Sequence, residues 1–211
     1  MLKLSLTRPA AAYLKEHLNL NSDEEAIALF GLQMLVYTVT GFLSICLVGW
    51  LLGVLALTLA VTLTAASLRL WAGGAHSRSP LTCNLLGMIV APLLGKLAAL
   101  AAPLFTPAGL GVMILAGFII AVVVIWRRAP VDSPAKPITS PAERRRLRAL
   151  SLVLVVFIAV LQVLILVTMR AVPFILALSL GLGWQTFSLT RAGHWFAILI
   201  DNLMAKGGIT V

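Results

Sequence analysis

One of the two cysteines and one of the three histidines in this chain lie seven residues apart, at Cys83 and His76. They fall in a polar stretch, Arg69 to Asn84, that also holds Arg78, the pair Gly73–Gly74 and Pro80, with long apolar runs on both sides. A thiol and an imidazole are the parts of a nucleophilic pair, in which the imidazole takes the proton and the thiolate attacks a carbonyl. Along one continuous helix seven residues rise about 10.5 Å, too far for a hydrogen bond. Ser79 as N-cap and Pro80 as first helical residue start a new helix between the two. Cys83 then ends the first turn of that helix, and His76 sits on a preceding loop that Gly73 and Gly74 let fold back. A helix N-terminus lowers the pKa of a thiol, and its unpaired N–H groups, near Asn84, stabilise an oxyanion. No Asp or Glu is close in sequence to orient the imidazole, which leaves Ser77, Ser79, Thr82, Asn84 or a backbone carbonyl for that task. By spacing alone, a cysteine near a helix start in a membrane protein is more often simply packed and a loop histidine simply solvated.

The surroundings of this stretch are membrane-like. The chain is 61% hydrophobic and 11% charged, with a mean hydropathy of +1.05. That composition describes an integral membrane protein. The apolar runs are long and unbroken, so the predicted class is all-α and polytopic rather than an outer-membrane barrel. Ionisable groups at a membrane boundary are costly, which singles out the Arg69–Asn84 stretch as functional. The net charge of +9 comes with no nucleic-acid motif and reads as topology: positive loops stay cytoplasmic. Two cysteines make no disulfide framework, and Cys46, inside an apolar run, reads as an inert side chain. Residues 1–20 lack the continuous apolar core of a signal peptide.

The pattern predicts a single membrane domain over 1–211. Residues 1–21 form an amphipathic interfacial segment interrupted at Pro9. Ser22 and Glu25 have capping-box spacing. Six candidate transmembrane helices follow, at 22–52, 54–71, 82–101, 108–126, 150–169 and 172–190, each near the length needed to cross. Lys96 lies within the third and either faces a cavity or snorkels to the far interface. A basic cytoplasmic loop, 127–148, carries Arg127, Arg128, Lys136, Arg144, Arg145, Arg146 and Arg148 against Asp132 and Glu143. Six spans put both termini on one side. Of the sixteen Lys and Arg residues, only Arg170 then falls in an external turn and only Lys96 deep within a span, Arg69 standing at the interfacial end of the second, so both termini are expected in the cytoplasm and the His76–Cys83 stretch at the cytoplasmic face.

Other chemistries find less support. His17, His76, His194 and Cys83 have no metal-ligand spacing, and no cofactor motif is present: neither a phosphate-binding glycine loop nor a G-x-S-x-G elbow. A non-catalytic transporter or scaffold gated by the polar stretch is the alternative reading. Transporters place broken helices and ionisable groups near the midplane, where only Lys96 is a candidate.

The pattern R-x-x-x-G-G-x-H-x-x-x-x-x-x-C, here Arg69, Gly73, Gly74, His76 and Cys83, resembles the accessory gene regulator B (AgrB) family. The segment A-P-V-D-S-P-A-K-P-I, Ala129 to Ile138, resembles that family's second signature, a proline-rich loop ending in K-P before a basic stretch. Together with the six-span layout these cover most of the chain. The resemblance implies a membrane-embedded cysteine endopeptidase that cuts a small AgrD-like propeptide, the precursor of a cyclic quorum-sensing signal. Carried over, Cys83 is the nucleophile and His76 the general base. Arg69, Gly73 and Gly74 orient and shape the loop. Lys136 and Pro137 shape the substrate path, and Arg144, Arg145 and Arg146 attract the acidic tail that family substrates carry. The family sits in the plasma membrane of Gram-positive bacteria and works as homodimers. This chain's spans depart from it in their richness in Leu, Ala and Val, which leaves peptide specificity open.

Overall fold

The structure is a computed structural model that describes residues 7–75, 77, 79–132, 138–168 and 171–206. Every regular element among them is helical: α1 (Thr7–Leu18), α2 (Ser22–Leu51), α3 (Leu55–Ala72), α4 (Pro80–Ala101), α5 (Pro107–Arg128), α6 (Pro141–Thr168), α7 (Val172–Ser188) and α8 (Arg191–Lys206), with one 3-10 turn after α4. Five helices, α2 to α6, are each long and apolar enough to cross a membrane. The pair α7 and α8, bent by 84°, qualifies as a sixth only when counted as one broken span. The chain is a multi-pass, all-α membrane protein.

Local sequence explains most boundaries. Asn21 caps α2 by accepting from the Glu24 amide at 2.9 Å, and the Glu24 carboxylate accepts from the Asn21 amide at 2.9 Å. The capping box is therefore Asn21/Glu24 and not Ser22/Glu25. Glu25 is engaged elsewhere, in an ion pair of 2.6 Å with Lys15 that ties α1 to α2. Pro9 does not interrupt α1. It occupies the third position, where a missing N–H leaves no intrahelical bond unmade. Thr106 caps α5, accepting from Gly109 at 3.2 Å. Lys96 donates to the Leu52 carbonyl at 3.3 Å, at the end of α2. Its ammonium satisfies a helix terminus and does not face the cavity by Cys83.

Two boundaries differ from expectation. The segment expected as a loop at 127–148 is helical at both ends: Arg127 and Arg128 close α5, and Arg144 to Arg148 lie in the first turns of α6. Pro141 at the start, Glu143 in the first turn and a run of arginines, good helix formers, extend α6 outward. The last candidate span, 172–190, ends at Ser188, and the polypeptide turns sharply into α8, an element absent from the expected layout. Gly193 sits in this bend so close to the Phe187 carbonyl that a side chain there has no room.

The flank at α2 and the centre at α7 contrast in burial. Along α2 only Gly41 and Gly49 are buried, while Phe42, Leu43, Leu47, Trp50 and Leu51 are exposed. Such a surface faces lipid in a membrane protein. By contrast nine of the seventeen residues of α7 are buried. It packs chiefly on α3, where Gly181 brings the two backbones together at Val61, the small-residue contact expected between helices in lipid. One apolar core gathers Leu57, Val61, Ala98, Leu110 and Ile175. A second, below the polar stretch, gathers Leu68, Ala121, Ile125, Val155 and Leu189. Gln162 of α6, buried, donates to Ser179 at 2.6 Å and to the Ile175 carbonyl at 3.3 Å, so the interior amide is satisfied.

Candidate active site

The polar stretch joins the end of α3 to the start of α4. Gly73 terminates α3 with φ +70° and Gly74 follows with φ +143°, backbone conformations that L residues with side chains rarely adopt. Both are also in close quarters: a Cβ on Gly73 would strike the Val131 carbonyl, and one on Gly74 would lie 2.6 Å from the Ser188 hydroxyl. The chain therefore turns between two walls, the loop after α5 and the end of α7.

Hydrogen bonds hold it there. Gln185 donates to the Gly73 carbonyl at 2.7 Å. The Ala75 amide donates to the Ser188 carbonyl at 2.9 Å, and Arg69 reaches forward to donate to the Ala75 carbonyl. On the far side of residue 76, the Ser77 hydroxyl donates to the carboxylate of Asp201 on α8. Ser79 stands at the N-cap position but makes no side-chain capping bond, and Pro80 is the first helical residue. The Cys83 amide closes the first turn onto the Ser79 carbonyl at 3.1 Å. Since the Cys83 N–H is thereby consumed, the N–H groups left at this helix start are those of Leu81 and Thr82.

Cys83 is exposed, and its side chain borders a cavity of about 280 Å³. One part of the lining is polar, from Arg69, Ser77, Asn84, Gln185 and Ser188. The rest is mainly apolar, and α8 borders it through Phe196, Ala197 and Ile200. Trp184, Phe187 and Phe196 form an aromatic cluster on this wall, with centroids 5.8–6.0 Å apart. An exposed thiol at the edge of a mainly apolar cleft can attack a carbonyl whose neighbouring side chain is buried in that cleft.

The second motif meets the first. The Val131 amide donates to the Ala72 carbonyl at 2.9 Å, which lays the loop after α5 on the turn at Gly73. Arginines of α6 hold this loop in turn. Arg144 pairs with Asp132 at 2.7 Å and donates to the Pro130 carbonyl at 3.2 Å. Arg148 donates to the Ala129 carbonyl at 2.8 Å and lies over the Trp126 ring at 5.9 Å.

A model of the family described as accessory gene regulator B matches residues 7–189, which include both motifs. The chain belongs to the AgrB family. It is also 27% identical to an AgrB-like protein of Clostridium perfringens (strain SM101 / Type A), over 96% of this chain and 98% of that one. A second AgrB-like protein, from Clostridium perfringens (strain 13 / Type A), shows the same identity and coverage. No solved structure matches the chain. Membership of the AgrB family links the chain to quorum-sensing peptide processing.

Of the AgrB motif residues, Arg69, Gly73, Gly74 and Cys83 converge on this turn and cavity, whereas His76, Lys136 and Pro137 lie outside the described residues. Asn84, considered for oxyanion support, has its amide nitrogen on the Tyr37 carbonyl of α2 at 2.7 Å and packs tightly on Gly41. Its amide is thus a helix–helix contact at the cavity edge. Arg144 is committed to its own loop, while Arg145 and Arg146 are exposed. The other two histidines are used locally: His17 contacts the Tyr13 carbonyl and His194 that of Thr190. Sequence reading missed Gln185, Ser188 and Asp201. Gln185 and Ser188 were signalled by being polar within an apolar helix, a cost that calls for a partner; Asp201, on a helix of mixed polarity, carried no such signal.

Proposed function

We propose that this AgrB-family chain is a cysteine endopeptidase that cleaves a small AgrD-like precursor at the cytoplasmic face of the plasma membrane, with both termini on that side. Cys83 is the nucleophile and His76 the general base. The observation that carries the reading is the exposed Cys83 thiol at the edge of a mainly apolar cavity, beside a turn of the family motif pinned by α3, α7 and α8. The Cys83 sulfur attacks the scissile carbonyl carbon, the C–N bond breaks, and the proton held by His76 passes to the leaving amine. The N-terminal fragment remains as a thioester on Cys83. The substrate's own thiol or hydroxyl then attacks that carbonyl as His76 takes its proton, and the C–S bond to Cys83 breaks, releasing the Cys83 thiolate and a cyclic product. The mainly apolar lining of the cavity supports this sequence, because apolar walls beside the thioester favour intramolecular transfer over hydrolysis.

The test is to trap the adduct. A precursor whose ring-closing residue is replaced by Ala should accumulate a covalent complex of Cys83 with the N-terminal fragment, seen by intact mass and released by hydroxylamine. Cleavage of that precursor at the normal rate with no adduct under rapid quenching, and immediate release of a linear acid, would indicate a hydrolytic peptidase instead.

The basic residues of α6 divide by role in this reading. Arg145 and Arg146, exposed, supply a long-range field for an acidic substrate tail. Neutralising both to Gln is expected to raise the apparent KM at low salt and to flatten its salt dependence. An unchanged KM at low ionic strength would leave them a topological role alone. Arg144 is excluded from this pair because its loss would release Asp132 and the loop at Pro130.

A further inference from the structure

The turn that carries residue 76 is anchored on both sides, and the two anchors differ in kind. Before residue 76 the contacts come from α3 and α7: Arg69 and Ser188 hold Ala75, and Gln185 holds Gly73. After it, the anchor is Ser77, whose hydroxyl donates to Asp201, 124 residues further along the chain. Asp201 stands in the run I-L-I-D-N-L-M, otherwise apolar apart from Asn202. Asp201 is half-buried, with exposed Asn202 beside it. Its spacing from Ala197, four residues earlier, sets it on the same face of α8 as the cavity lining. Hydrogen bonds to an ionised acceptor are about twice as strong as neutral ones. Asp201 therefore holds the turn more firmly than an amide or hydroxyl in its place would.

We propose that Asp201 is a positioning residue for the Cys83–His76 reaction, acting through Ser77 to lock α8 to the catalytic turn. The proposal rests on the cysteine-endopeptidase reading above. Ser77 and Cys83 border the same cavity, so displacement of Ser77 alters the wall beside the thiol. Because Phe196, Ala197 and Ile200 border the cavity from the same helix as Asp201, the Ser77–Asp201 bond also couples that wall to the turn. Arg69 and Asp201 grip the turn from opposite sides, a cation on the Ala75 carbonyl and an anion on the Ser77 hydroxyl.

The test uses the full chain in detergent with a tagged AgrD-like precursor, and compares Asp201→Asn, Asp201→Glu and Ser77→Ala. Asp201→Asn keeps an acceptor and removes the charge; Ser77→Ala removes the tether and keeps the charge. Misplacement of a reacting group by about 1 Å costs roughly 100-fold, so kcat is expected to fall 10- to 100-fold in Asp201→Asn and in Ser77→Ala. KM should stay within about threefold, and Asp201→Glu should recover part of kcat. If Asp201→Asn does not elute as the unaltered chain does, Ser77→Ala, which leaves α8 unchanged, decides the matter. In a Cys46→Ala background, iodoacetamide should alkylate Cys83 more slowly in both variants. A kcat within twofold of the unaltered chain, or a loss confined to KM, overturns the positioning role. Absence of any Cys83-dependent cleavage by the unaltered chain would overturn the endopeptidase reading itself, a result distinguishable from cleavage that needs Cys83 and ignores Asp201.

Discussion

Replacing Cys83 by Ala should abolish cleavage of a tagged AgrD-like precursor, and replacing His76 by Ala should do the same, each lowering kcat by on the order of 10⁴-fold or more. A nucleophile and its base act as one unit, so the double substitution is expected to cost little more than either single one. Neither change should unfold the protein. Cys83 is exposed and leaves no internal void when truncated, and its helix is held by Pro80 and the Ser79–Cys83 backbone bond, which alanine preserves. Cys46, on the lipid-facing helix α2, is the internal control, and Cys46→Ala should cleave at the normal rate. Gel analysis of the precursor, with elution in detergent as the check on folding, measures all four proteins. Full activity in Cys83→Ala, or loss in Cys46→Ala alone, refutes the assignment.

The second large effect is expected at Gly73. An alanine there must adopt φ +70°, which costs on the order of 1–3 kcal/mol, and its Cβ meets the Val131 carbonyl, a backbone atom with little freedom to retreat. The two sequence motifs touch at this point, through the Val131–Ala72 hydrogen bond. Gly73→Ala should therefore lower both thermal stability and activity, the latter by roughly 100-fold, because the turn at Gly73–Ala75 beside the Cys83 cavity is displaced. Gly53 separates conformational cost from position. It has φ +68° in the turn between α2 and α3, with nothing near a prospective Cβ. Gly53→Ala should destabilise by about 1 kcal/mol and leave the activity of the folded molecules intact. Thermal melts in detergent beside initial rates separate the two. Equal activity loss in both variants would show that Gly73 matters only for general stability.

What could be read directly from the residues was whatever depends on neighbours in the chain. Apolar runs of membrane-spanning length dictate helices because no backbone polar group can go unpaired in lipid. Pro80 after Ser79 marks a helix start for the same local reason, and the motif from Arg69 to Cys83 was recognisable from residue types and spacing. Local rules also explain the small errors. Asn21 and Ser22 are both good caps, and the choice between them fell to Lys15, which takes Glu25 into an ion pair. Tertiary packing alone decided the rest. No pattern in the sequence brings Val131 onto Ala72, Gln185 and Ser188 onto the turn after Gly73, or Asp201 onto Ser77. These contacts join residues more than 50 positions apart, and their partners are set by how α3, α7 and α8 pack. The bend of 84° that aims α8 across the cavity arises likewise from the close approach of Gly193 to the end of α7. A carboxylate absent from the sequence neighbourhood of His76 is thereby supplied to the adjoining residue in space.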